Sequence, residues 1–149
     1  METTESTTSN DLLSAEEWQG LYQRVVGWQS NLAFHKDELR FFKDIIDKYF
    51  ILLISDAKLD EMRKMTVETT EKEKEVQKLT AACNTLFHDI GDFIDLKADH
   101  NEEALLEEFN AVDKECKDFE NSFKNLKTWV FTITEHMMET EKLKHLLNA

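Results

Sequence analysis

The sequence predicts an all-α fold, an antiparallel up-down-up bundle of three long helices with coiled-coil-like packing. Three observations carry that prediction. The 149 residues contain no proline and only three glycines, so the residues that break or weaken helices are almost absent. Apolar residues recur at alternating steps of three and four along three stretches, which lays one stripe down each helix. One-third of the residues are charged and ten are Phe, a composition that suits amphipathic helices around a real core and not a disordered chain.

Residues 1–13 read as a disordered tail, rich in Thr, Ser and Glu, and residues 14–149 as one helical-bundle domain. The expected helices span about 15–54, 57–97 and 102–147. Ser14 and Glu17 have capping-box spacing at the start of the first, with Leu13 and Trp18 placed as a hydrophobic staple. The first stripe runs Trp18, Leu21, Val25, Trp28, Leu32, His35, Leu39, Phe42, Ile46, Tyr49, Leu53. It stops where the next positions in phase are Asp56 and Asp60, and Ser55 or Asp56 can cap the second helix. That helix carries Leu59, Met62, Thr66, Thr69, Glu73, Val76, Thr80, Cys83, Phe87, Ile90 and Ile94, a seam with a thin, polar centre. Asp99 or Asn101 caps the third helix, whose stripe runs Leu105, Phe109, Val112, Cys116, Phe119, Phe123, Leu126, Val130, Ile133, Met137 and then Thr140, Lys144 and Leu147. Equal lengths and short turns favour the antiparallel arrangement.

Composition also bounds function. The longest apolar run, Tyr49 to Ile54, is far shorter than a membrane span. The net charge of −13 speaks against nucleic acid and anionic lipid, which need Lys and Arg clusters. No basic segment followed by an apolar run precedes the domain, so a cytoplasmic protein with reduced thiols is expected. Between Asp99 and Glu120 nine carboxylates face only Lys114 and Lys117. This reads as a solvated acidic face at the positive end of a helix, with a basic partner as the second reading.

The constellations that bear chemistry are few. Cys83 and Cys116 lie on facing seams, at the height of Trp28. Facing helix axes about 8–10 Å apart exceed what a disulfide spans, so they are expected as a buried thiol layer beneath Trp28. His35, the seam histidine, has Glu38 three residues on and Glu73 one layer over. Those types at those spacings suit zinc or iron, which makes a buried metal or small-molecule site the alternative reading. The default is a structural His35 hydrogen-bonded to Glu73. The Glu-x-x-His pattern of di-iron bundles is absent, because no histidine has Glu three residues before it. No phosphate loop, nucleophile elbow or zinc-finger spacing is present, so neither enzymatic activity nor a cofactor is expected.

Trp18-Gln19-Gly20 is the three-residue signature of small helical-hairpin secretion substrates. In those proteins it occupies the turn between two helices, whereas here it falls in the first turns of a long one. The remaining signal is apolar surface off the seams: Val26, Phe34 and Phe41 on the first helix and Phe131 on the third. Several such side chains on one side mark a contact surface. The expected function is therefore a non-enzymatic helical-bundle protein that mediates protein–protein interaction or self-association, with a homodimer as its self-associated form.

Overall fold

The computed structural model describes residues 13–50, 59–96 and 101–148. They form three helices, α1 (Ala15–Phe50), α2 (Leu59–Ile94) and α3 (Glu102–Asn148), with no strand among the described residues. The chain divides into two compact units. Unit 1 comprises Met1–Phe34 and Gln77–Asp118, and unit 2 comprises His35–Val76 and Phe119–Ala149. All three helices contribute to each.

The pairings within each unit fix the direction of the helices. In unit 1, Leu13 meets Glu102 and Arg24 meets Asp113; in unit 2, Glu38 meets Lys127. Each pair is separated by 89 residues, so α1 and α3 run parallel. Against α2 the numbering runs in opposition. In unit 1 the aromatic contacts are Trp18–Phe93 and Tyr22–Phe87, and Gln29 donates to Asn84. In unit 2, Lys43 pairs with Glu73, and α3 meets α2 where Trp129 Nε1 donates to Glu61 at 2.7 Å. The topology is up-down-up.

Local chemistry starts and stops the helices. Ser14 and Glu17 close the capping box, each backbone N–H donating to the other's side chain at 3.0–3.1 Å. Glu102 Oε2 accepts from both the Leu13 amide, at 2.7 Å, and Trp18 Nε1, at 2.9 Å. It thereby ties the start of α1 to the start of α3 within unit 1. Asn101 caps α3 through its Oδ1, which accepts from Ala104 N–H at 2.9 Å. Gly91 lies inside α2. The helix ends at Ile94, three residues before the expected 97, in a turn where Leu96 takes φ 57°. Residues 1–12, the expected end of α1 at 51–54, the start of α2 at 57–58, and the caps Ser55, Asp56 and Asp99 lie outside the described residues.

The α1 and α3 stripes are the core. In unit 1 Trp18, Val25 and Leu32 are buried with Leu105, Phe109, Val112 and Cys116; in unit 2 Leu39, Phe42, Ile46 and Tyr49 are buried with Phe119, Phe123, Leu126, Val130, Ile133 and Met137. Each large apolar side chain buried is worth about 1.5–3 kcal/mol, against a few tenths for an exposed ion pair along one helix. Core burial therefore sets the phase of each helix.

The α2 seam departs from expectation. Met62, Thr69, Val76, Cys83 and Ile90 are buried as expected, but the positions between them are Met65, Lys72, Leu79 and Leu86. Thr66, Glu73, Thr80 and Phe87 are exposed or half-buried instead. Both sets alternate three and four from the same heptad row, and they differ by one residue in phase. Met65 and Leu79 bring more apolar surface inside than Thr66 and Thr80, Leu86 takes the place of Phe87, and the gain outweighs burying the stem of Lys72 in place of Glu73. The thin centre expected of this helix is replaced by a seam with one charged position.

Candidate functional site

Three arrangements offer chemistry or contact beyond packing: a groove and a polar cluster in unit 2, and a thiol pair in unit 1. The groove lies between the C-terminal parts of α1 and α3. It has a volume of about 750 Å³ and is lined by Lys48 and Tyr49 of α1 and by Phe131, Thr134, Glu135, Met138, Glu139, Glu141, Lys142 and His145 of α3. Phe131 is 45% exposed and Met138 56%. The two stand seven residues apart on one face of α3. On α1, Phe41 is 56% exposed, and its neighbour Phe42 turns inward to meet the Phe131 ring edge-on with centroids 6.0 Å apart.

Two of the polar groups that line the groove are engaged with their own helix. Thr134 Oγ1 donates to the Val130 carbonyl at 2.7 Å, within its own helix. The Lys48 ammonium sits 5.2 Å from the centre of the Tyr49 ring. Glu135, Glu139, Glu141, Lys142 and His145 of α3 complete the lining beside Lys48. Apolar anchors with a mixed-charge rim are what a partner surface needs; nothing in this set resembles a nucleophile with its base.

The four expected contact residues fall into different units. Val26 and Phe34 are exposed on α1 in unit 1, whereas Phe41 and Phe131 belong to unit 2. Met138 was missed by sequence reasoning. Its signal was available, since it lies off the α3 seam one heptad after Phe131.

The second arrangement is built around His35. Its Nδ1 lies 2.9 Å from Glu38 Oε1 and its Nε2 lies 2.7 Å from Glu120 Oε1. The imidazole packs on Phe123 at 4.3 Å and on Phe119 at 5.7 Å between ring centres. Lys127 Nζ donates to Glu38 Oε2 at 2.6 Å. Burial pushes the Glu38 carboxyl up, but the hydrogen bonds from Lys127 and His35 outweigh it and hold the group below the usual carboxylate range.

Glu73 is not the partner expected for His35. It pairs with Lys43 at 3.4 Å, and Glu120 of α3 supplies the second carboxylate. The reason is the one-residue phase of α2, which turns Glu73 away from the seam. Among the described residues, no three His, Cys, Asp or Glu side chains are grouped so as to hold a metal ion. The cation beside Glu38 is the Lys127 ammonium.

The third arrangement is the thiol pair. Cys83 of α2 and Cys116 of α3 are both buried in unit 1. The Cys116 thiol holds the Cys83 thiol below its ordinary value, against burial and the nearby charge of Glu115, which raise it. Trp28 is half-buried; its ring packs on Phe109 at 4.9 Å, and the Arg24 guanidinium lies over both rings.

The acidic start of α3 is partly neutralised. Glu102 is held by Leu13 and Trp18, Asp113 by Arg24 at 2.8 Å and Lys117 at 3.0 Å, and Asp118 by Lys114 at 2.9 Å. Among the described residues no helix is long and apolar enough to cross a membrane. No protein-family model matches the chain, and neither a curated protein nor a solved structure matches it.

Proposed function

We propose that this is a non-enzymatic helical-bundle protein that acts through protein–protein interaction, and that its partner presents an amphipathic helix with Lys or Arg beside the apolar stripe. The cytoplasmic setting expected from the sequence belongs to the same proposal. The observation that supports it is the unit 2 groove, with Phe131 and Met138 exposed one heptad apart on α3. A helix lying in a groove is held by apolar anchors at such intervals.

Charge selects the partner. The rim carries three Glu against Lys48 and Lys142, and the field of the whole chain adds to that slight negative excess. At a net charge of −13, that field draws a basic helix and opposes the approach of a second copy. Self-association is the competing outcome.

The test uses a synthetic helix of about three heptads, with Leu at the core positions and Lys elsewhere, beside a Glu counterpart. The Lys peptide is expected to bind the full chain, more weakly as NaCl rises from about 50 to 500 mM. Phe131→Glu and Met138→Glu should each weaken it by about tenfold or more, while Val67→Glu, on an exposed site of α2, leaves it unchanged. Absence of binding, or equal binding by the groove variants, removes the proposal. A concentration-dependent dimer in sedimentation that Phe131→Glu abolishes assigns the groove to a second copy instead.

A further inference from the structure

We propose that the helix taken up by the unit 2 groove lies antiparallel to α3 and carries Asp or Glu in its first turn, against Lys142 and His145. This orientation rests on the groove being the helix site already proposed, and it adds a direction and the chemistry of one end. Successive helical residues turn by about 100°, so Phe131, Met138, Lys142 and His145 fall within about 60° of one another on one face of α3. Along that row the two apolar anchors come first and the two basic side chains last, both of them exposed. The three Glu of the lining stand to either side of the row.

Charge and helix dipole together select the direction. A helix held against the row seats its apolar stripe on Phe131 and Met138, and its flanking Lys or Arg meet the Glu on both sides. Its end beyond Met138 then meets Lys142 and His145, where an acidic side chain is favoured and a basic one opposed. The dipole decides which end that is. α3 ends at Asn148, so the partial negative charge of its carbonyl end lies next to His145. In unit 2, α1 runs the same way as α3, since His35 meets Phe123 and Phe42 meets Phe131. The amino end of a docked helix, with its partial positive charge and its preference for Asp and Glu, suits this place. The opposite direction would set carbonyl ends side by side.

The experiment uses the full chain and two peptides of about three heptads, with Leu at the core positions, Lys beside them and a pair of Glu in either the first or the last turn. Both are acetylated and amidated, so their termini carry no charge. The Glu-first peptide is expected to bind about fivefold more tightly than the Glu-last peptide at about 50 mM NaCl, a ratio that shrinks with added salt. Lys142→Glu, at an exposed position, should cut that ratio by about threefold or more. A nitroxide at the first residue of the Glu-first peptide should broaden the backbone amide signals of Lys142 and His145 far more than that of Phe131, which lies about 20 Å from His145 along the axis. Broadening centred on Phe131, equal affinity of the two peptides, or a ratio unchanged by Lys142→Glu would overturn the direction and leave the groove as a helix site. If neither these peptides nor the peptide with Lys alone binds, the helix site itself falls, and its direction with it.

Discussion

Lys72 sits on the buried face of α2 at 4% exposure, with its ammonium 3.0 Å from Glu75 and 3.2 Å from Glu68. Burial pushes its pKa down, but the two carboxylates outweigh that and hold it above the usual lysine value. A raised value means the stabilisation is complete below the ordinary lysine range and is lost only as pH rises through the folded value, so neutral pH does not test it. Substitution does. Lys72→Met keeps the stem and leaves Glu68 and Glu75 hydrated, so urea unfolding should give a stability within about 1 kcal/mol of wild type or above it. A loss of about 3 kcal/mol or more would show that the ion pairs hold α2 in place. Glu38 has the opposite sign. Its depressed pKa means its contribution is present above the ordinary carboxyl range and is lost as pH falls through the folded value. Glu38→Gln should cost about 1–3 kcal/mol at pH 7, a difference that shrinks as pH falls below about 4. Paired denaturant curves at neutral and acid pH check both the size and the direction.

At the scale of the element, the end of α2 holds an uncommon conformation. Leu96 has φ 57° and is 88% exposed, so it carries left-handed strain without packing in return. Leu96→Gly is expected to stabilise by about 1 kcal/mol, raising the thermal midpoint by roughly 2–4 °C. An unchanged or lower midpoint would mean the leucine makes up for its strain elsewhere. The helices differ in how plainly their sequences declare their faces. Val25, Leu32, Leu39, Phe109, Phe119 and Phe123 leave one choice of stripe, and the structure follows it. On α2 two stripes share Met62, Thr69, Val76, Cys83 and Ile90, and the polar residues Thr66, Glu73 and Lys72 blur the difference between them. The neighbours decided. Turning Met65, Leu79 and Leu86 inward moved Glu73 off the seam to Lys43 and left the place beside His35 to Glu120.

For the whole molecule, periodicity without proline was sufficient for three helices, and parallel α1 and α3 with α2 reversed followed from the short turns the sequence allows between three long stripes. These are properties of stripes repeated over many turns, where one ambiguous residue changes little. The outward residues Phe41 and Phe131 were also legible, because a large ring off a clear stripe has nowhere to go but the surface. Single partners were not. Whether His35 meets Glu73 or Glu120 depends on a rotation of α2 by about half a residue. Such a rotation keeps the row Met62, Thr69, Val76, Cys83 and Ile90 inside and redirects every side chain on the helix by about 50°. Sequence periodicity thus determined the architecture; the packing of three helices against one another decided which side chains meet, since only the sum of their buried areas selects one rotation over the next.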